Sequence, residues 1–161
     1  MARILMVAAE GLPFIKSGGL ADVIGSLPNE LAKKGHEVRV IMPLYLKIAQ
    51  KFHHEFTLEA QFSVSIAYHE VPVNIWSTMR KDVKFYFVEH KGYFEREEMY
   101  GHIDDGERFA YFQKAVIEMC NQLNYFPEIM HCHDWHTGMI PAMCKEGHSF
   151  DERYRDRKSV V

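Results

Sequence analysis

The spacing of apolar residues changes period several times along this chain, and each change marks an element. Ile4 to Ala8 is an unbroken apolar run of strand length. From Leu20 the apolar positions Leu20, Val23, Ile24, Leu27 and Leu31 fall three and four apart, which predicts a helix over Leu20 to Lys34 closed by Gly35. Pro28 inside that pattern predicts a kink. Glu37 to Met42 returns to strand character, so the first three elements form a β-α-β unit with parallel strands and a right-handed crossover. Alternation then runs over Phe56 to Ala67, Val71 to Thr78 and Val83 to Val88, broken by Tyr68-His69-Glu70 and Arg80-Lys81-Asp82. This predicts a strand meander whose last strand rejoins the main sheet. A polar, aromatic-bearing loop from Glu89 to Asp105 leads to a helix over Glu107 to Leu123, with Phe109, Phe112, Val116, Met119, Cys120 and Leu123 on one face. Asp104 and Glu107 have capping-box spacing at its start. A strand at Ile129 to His133, a helix at Met139 to Lys145 and the opening of a further strand at Lys158 to Val161 complete the pattern.

Composition narrows the class. With 161 residues, 47% of them hydrophobic, the chain can bury one substantial core, and residues 1–161 read as a single α/β domain with a Rossmann-like parallel sheet and a β-meander insertion. The last residues begin a buried strand that has no covering helix after it, so the expectation is an incomplete domain. A net charge of -3 argues against nucleic acid as a partner. The apolar runs are strand-sized and the amino terminus enters a strand directly after Arg3, so neither a membrane span nor a signal peptide is expected. Cys120, Cys132 and Cys144 are odd in number and lack Cys-x-x-Cys spacing, which reads as reduced thiols in a cytoplasmic protein.

Candidate chemistry gathers in two segments. Lys16-Ser17-Gly18-Gly19 precedes the first helix, where backbone N–H groups and the positive end of the helix dipole favour an anion, and two glycines let a ligand approach the main chain. Phosphate is the reading for Lys16, Gly18 and Gly19; a tight turn into the helix is the plain alternative. The dinucleotide fingerprint Gly-x-Gly-x-x-Gly is absent, and Arg39 stands where an acidic ribose ligand belongs, with Glu37 nearby. A dinucleotide oxidoreductase is therefore the weaker rival. Glu10, at the end of the first strand, is a further candidate for the cleft.

The second segment is His131-Cys132-His133-Asp134-Trp135-His136-Thr137, at the carboxyl end of a parallel strand, where open α/β sheets hold their ligands. Strand alternation puts His131 and His133 on one face and Cys132 on the other, so three ligands converge on one ion only if His136 folds back over the strand end. Zinc, core packing and a substrate-binding loop all remain open from the residues alone. Asp104-Asp105 resembles a metal-holding pair, but adjacent side chains point apart and capping accounts for Asp104. Tyr93, Phe94 and Tyr100 read as hydrophobic cover, with sugar stacking as the alternative.

Taken together, Lys16 to Val23 with Gly25-Ser26-Leu27-Pro28 behind it, His133 to Gly138, and Glu107-Arg108-Phe109-Ala110-Tyr111-Phe112 resemble the N-terminal half of bacterial glycogen synthases and plant starch synthases. The resemblance runs through essentially the whole chain. It implies the N-terminal lobe of a GT-B two-lobe glycosyltransferase, with the C-terminal lobe absent. It also implies a parent enzyme that transfers glucose from ADP-glucose or UDP-glucose to the non-reducing end of an α-1,4-glucan with retention, using no metal or other cofactor. By the same resemblance Asp22, Asp134 and His136 serve the reaction centre and the sugar hydroxyls, while Lys16, Gly18 and Gly19 hold the phosphates. The partners implied are the nucleotide sugar, the glucan and the missing lobe, without which the chain is expected to be inactive. A non-catalytic α-glucan-binding module is the alternative from a different class.

Overall fold

The computed structural model describes residues 1–146 and 158–160. Strands β1 (Arg3–Val7), β2 (Glu37–Pro43), β3 (Thr57–Ile66), β4 (His69–Arg80), β5 (Val83–Glu89), β6 (Ile129–Cys132) and β7 (Lys158–Val160) form one seven-stranded sheet in the order β3-β4-β5-β2-β1-β6-β7. β5, β2, β1, β6 and β7 are mutually parallel, whereas β3 and β4 run antiparallel at one edge. The expected meander is thus an extension of the main sheet: β5 pairs in parallel with β2 and carries the antiparallel hairpin outward. The strand expected from Lys158 to Val161 is present as β7, with Val161 outside the described residues.

Helices α1 (Leu20–Lys33), α2 (Leu46–Phe52), α3 (Lys91–Phe94), α4 (Asp105–Gln122) and α5 (Ile140–Glu146) connect the strands. The chain moves from β1 through α1 to β2 in one direction, then returns through α4 to β6 on the other side of β1. Right-handed crossovers with that reversal put α1 and α4 on opposite faces of the sheet. α1 ends as its sequence signals: Gly35 adopts φ 87°, its N–H donates to Ala32 O, and His36 N–H donates to Leu31 O, the paired bonds of a Schellman stop. The helical assignment continues through Pro28, which is buried.

Two expectations about these helices need correction. The buried line of α1 runs through Ala21, Ile24 and Pro28, and Val23 is 42% exposed. The cause is the β1-to-α1 loop, which lies on the helix one step round from the line of Leu20, Val23 and Leu27. A Cβ on Gly11 would sit 2.4 Å from Ile24 Cγ2, and one on Gly25 would sit 2.9 Å from Leu12 Cβ, so this approach requires glycine at both places. Asp104, in turn, stands at the N-cap of α4, but its side chain makes no capping bond. Its carboxylate forms a two-pronged bond with the Arg96 guanidinium at 2.6 and 2.7 Å, and Asp105 receives Gly101 N–H at 2.8 Å. A fork-to-carboxylate pair outcompetes a single backbone bond for the same oxygens. α4 is also buried more widely than one face, because it packs on the sheet on one side and against α5 and the turn at Trp135–Thr137 on the other.

The core spans both layers, and one aromatic knot within it bears on the site. Phe14, in the β1-to-α1 loop, has the rings of Phe52, Phe85 and Phe87 at centroid distances of 5.2, 5.1 and 4.9 Å, with Phe56 at 6.2 Å. Arg80 lies over the Phe14 ring at 5.0 Å, completing its enclosure.

Candidate functional site

Parallel strands that depart in opposite directions leave a crevice at their carboxyl ends, and here it opens between β1 and β6. The loop after β1 supplies one wall. Gly11 N–H donates to Ile15 O and Ile15 N–H to Gly11 O, Leu12 N–H reaches Ala21 O, and the loop is thereby clasped to itself and to α1 before Lys16 is reached. Glu10 is buried, 3% exposed, and its carboxylate accepts from Ser17 N at 2.6 Å, Ser17 Oγ at 2.5 Å and Gly18 N at 3.1 Å. The Gly18 amide expected to be open to an anion is therefore bound to an internal one. Nothing lies within 4 Å of a Cβ on Gly19, which faces open space. Lys16 Nζ bonds both carboxylate oxygens of Asp22 at 2.7 Å, and both side chains stay about half exposed.

The loop after β6 supplies the other wall. Asp134 has φ 62° and ψ 179°, a region that side-chain-bearing residues avoid at a cost of about 1–3 kcal/mol. Several bonds hold it there: Thr137 Oγ1 donates to His133 O at 2.9 Å, Thr137 N–H to Asp134 O at 3.2 Å, and His133 N–H to Val7 O at 3.0 Å. Gln113, buried on α4, accepts Met139 N–H at 2.7 Å and fixes the far end of the turn. Among the described residues no hydrogen bond engages the Asp134 carboxylate, although the residue is exposed. A strained backbone that presents an unengaged carboxylate to a crevice is a mark of function.

The walls meet at Tyr100 and His136. Tyr100 adjoins Ser17, Tyr45, Glu10 and Asp134, and burial together with the Glu10 charge pushes its hydroxyl well above the ordinary range. Its ring lies 4.8 Å from that of His136, which also packs edge-on to Phe109 at 4.6 Å. Burial lowers the His136 imidazole against the opposing pull of Asp134 and Glu10, so it is neutral at pH 7, and among the described residues its Nδ1 has no partner. Lys16 and Gly18 thus lie in the loop after β1, Asp22 in the first turn of α1, and Asp134 and His136 in the turn after β6. Of the aromatic trio, Phe94 is wholly buried, Tyr93 packs on His90 and Tyr111, and Tyr100 alone reaches the crevice.

The histidines of β6 part company as alternation requires. His131 and His133 stack on each other with centroids 4.1 Å apart, Cys132 is buried on the opposite face, and His136 turns to Tyr100 instead of folding back to them. Burial pushes His133 down to about 4 and the Cys132 thiol up to about 12, which makes the one a neutral ring and the other an inert thiol at pH 7. Among the described residues no group of three or more His, Cys, Asp or Glu side chains is placed to hold a metal ion. No described helix is long and apolar enough to cross a membrane.

Arg108 is the site-supporting residue that pattern reading passed over. It is fully buried, and its guanidinium bonds Tyr93 O at 2.7 Å, Met99 O at 3.3 Å and Asp105 Oδ1 at 2.5 Å, pinning the loop that carries Tyr100. Among the described residues, its Nη2 and the hydroxyl of neighbouring Tyr45 are buried without a partner. A signal was available: Arg108 stands in the apolar run Phe109 to Phe112 with Asp105 one turn before it.

Comparison with known proteins identifies the family. The family model for the starch synthase catalytic domain matches residues 3–161. The glycogen synthases of Streptococcus pneumoniae strains CGSP14 and JJA are each 45% identical over 159 residues, covering 99% of this chain and 33% of theirs. Among solved structures, the catalytic domain of starch synthase IV from Arabidopsis thaliana bound to ADP and acarbose superposes with a TM-score of 0.85 at 26% identity, covering 98% of this chain and 33% of that one. The chain therefore spans about a third of the length of these relatives. The match sets the dinucleotide oxidoreductase reading aside, and the GT-B lobe expected from the resemblance is the fold observed. Sheet topology, family model and relatives converge on one conclusion: this chain belongs to the starch synthase catalytic domain family.

Proposed function

We propose that the whole protein transfers glucose from ADP-glucose or UDP-glucose to the non-reducing end of an α-1,4-glucan with retention, and that this chain supplies one wall of the cleft. The observation that carries the reading is Asp134, an unengaged carboxylate on a strained backbone beside His136 and opposite the Lys16 loop. A carboxylate accepts two hydroxyl bonds at once, which suits a sugar, and pre-paid strain fixes its position before the ligand arrives. The related starch synthase IV domain was solved with ADP and acarbose, a nucleotide and a carbohydrate, and this supports the same two ligand classes here.

In this reading the bond from the sugar to the diphosphate breaks while negative charge grows on the leaving oxygens and the sugar becomes oxocarbenium-like. Lys16 exchanges Asp22 for phosphate and neutralises that charge, with Gly19 and the start of α1 giving the phosphate room. Gly18 acts through its backbone, held in shape by Glu10. Asp22, released from Lys16, turns to the acceptor, and Asp134 with neutral His136 orients hydroxyls near the reacting carbon. With the Lys16 ammonium as counter-charge, no metal is proposed, and EDTA is expected to leave turnover unchanged.

Calorimetric titration of the chain with ADP-glucose and with maltotriose tests the assignment. Asp134→Asn is expected to weaken maltotriose binding at least tenfold with the unfolding midpoint unchanged; wild-type affinity for both ligands in that variant refutes it. Binding of maltotriose without any response to ADP-glucose or UDP-glucose, in the chain and in the whole protein, identifies the glucan-binding module instead.

A further inference from the structure

A cavity of about 280 Å³ lies between α1 and the turn that joins β4 to β5, toward the amino end of β5. Three parts of the chain line it: Leu12 and Pro13 from the loop after β1, Asn29 from α1, and Arg80, Lys81 and Phe85 from the hairpin. Arg80 pairs with Val83 and Thr78 with Phe85, so strand alternation puts Arg80 and Phe85 on one face of the sheet. This is the face on which Phe14 packs, with the Phe85 ring at 5.1 Å and the Arg80 guanidinium over it at 5.0 Å. The cavity therefore backs onto the anchor of the Lys16 loop.

The lining carries two cations and no carboxylate. Arg80 Nη1 donates to Met79 O at 3.0 Å and Thr78 Oγ1 at 3.2 Å and Nη2 is bonded to Glu55, which fixes the guanidinium; among the described residues its Nε donates to nothing. Lys81 stands in the turn at φ 54°, and among the described residues its ammonium makes no hydrogen bond or ion pair. Glu30, which feels the Lys81 charge, is itself held by Lys33 Nζ at 2.6 Å. Asn29 Nδ2 gives one hydrogen to Gly25 O at 3.2 Å and keeps the other. Leu12, Pro13 and the buried ring of Phe85 supply apolar surface beside these donors.

We propose that this cavity binds a small phosphomonoester with an apolar body, and that its occupancy steadies the loop carrying Lys16. Donors on three separate side chains, the Lys81 ammonium, Arg80 Nε and Asn29 Nδ2, suit the three free oxygens of a phosphoryl group, and the apolar wall takes the remainder. The occupant touches Leu12 and Pro13 directly and pairs with the guanidinium that covers Phe14, two residues before Lys16. Arg80 also lies over Phe52 at 5.9 Å, so holding it holds the aromatic knot as a unit. Binding in the cavity is independent of the glucan reading, whereas its consequence for the reaction, a better-held Lys16, rests on the phosphate role proposed for that residue.

Calorimetric titration of the chain with phenyl phosphate, and with inorganic phosphate beside it, reads the site, while amide hydrogen exchange over Gly11 to Gly18 reads the loop. Phenyl phosphate is expected to bind about tenfold more tightly than inorganic phosphate, because the ring buries apolar surface, and to slow exchange in the loop. Lys81→Gln keeps a Cβ on the same left-handed backbone and removes only the charge, and Asn29→Asp sets a negative charge on the wall. Each should weaken phenyl phosphate about tenfold and abolish the slowing. Affinity unchanged in either variant, or no preference over inorganic phosphate, overturns the site; binding with unaltered exchange overturns the coupling to Lys16. Lys16→Ala separates cavity from crevice: affinity kept there supports the cavity, and affinity lost there but kept in Lys81→Gln and Asn29→Asp moves the anion to the Lys16 loop and overturns it. The maltotriose titration of Asp134→Asn reports on the glucan reading whichever of these results is found.

Discussion

Asp134→Gly and Asp134→Ala form a pair in which backbone strain is separated from side-chain loss. Both remove the carboxylate, which has no internal hydrogen bond to lose, and both leave the Thr137 bonds to His133 O and Asp134 O intact because these involve the main chain. Alanine keeps a Cβ at φ 62°, ψ 179° and goes on carrying the strain of about 1–3 kcal/mol. Glycine sheds that strain and costs about 0.5–1 kcal/mol in the greater freedom of the unfolded chain. The glycine variant should therefore be the more stable of the two by about 1–2 kcal/mol, a difference of roughly 2–8 °C in melting temperature for a chain of this size. Urea unfolding with a common m-value is the assay, and maltotriose affinity should fall in both variants alike. Equal midpoints, or a higher midpoint for alanine, would mean that the turn at Asp134 is relaxed, and the argument that its geometry is held for function would lapse.

Other consequences are as direct. In the whole enzyme, Lys16→Ala should lower turnover about a hundredfold, the usual cost of removing one donor from a leaving group in a closed site; near-normal turnover in a steady-state assay would remove the phosphate role. Phe14→Ala opens a hole among Phe52, Phe85 and Phe87 and should cost about 3–5 kcal/mol in urea unfolding, with a loss under 1 kcal/mol showing that the loop is not anchored there. His133 titrates near 4 in the folded chain but close to 6.5 when unfolded, so between those values the unfolded chain binds more protons. Stability should rise with pH through this window, be complete above it and drain away as pH falls toward 4, by at most about 3 kcal/mol; His133→Phe should flatten that dependence between pH 5 and 7, and an unaltered slope refutes the assignment.

The elements that pattern reading recovers best are those whose periodicity reports burial on one face. β1, β2, β5 and β6 are apolar runs and α4 has its expected inner face, while Gly35 punctuates α1 at a left-handed stop. Spacing alone misplaced Val23, since a loop that approaches through Gly11 and Gly25 decides which line of α1 is covered, and no helical wheel contains that loop. α2 and α3 escaped because seven and four residues are too few to establish a period. Among the candidate site residues, Lys16 was named from its motif and Asp22, Asp134 and His136 from the resemblance, and the fold places Lys16 in the loop after β1, Asp22 in the first turn of α1 and Asp134 and His136 in the turn after β6. Glu10 as the partner of the Ser17 and Gly18 amides was not legible, nor was the Lys16–Asp22 pair, since each depends on how the twelve-residue connection from β1 to α1 folds on itself.

The enclosure of Phe14 ties the Lys16 side of the crevice to the outer hairpin of the sheet. Phe14 lies two residues before Lys16, yet the rings and guanidinium that hold it come from α2, from the residue leading into β3, from β5 and from the tip of β4. The meander is thus an abutment for the Lys16 loop as well as a rim to the sheet. Exchanging that hairpin between relatives, or trimming it to make a smaller scaffold, would transmit slack to the Lys16 loop, and the hairpin residues around position 14 are expected to vary in concert with it.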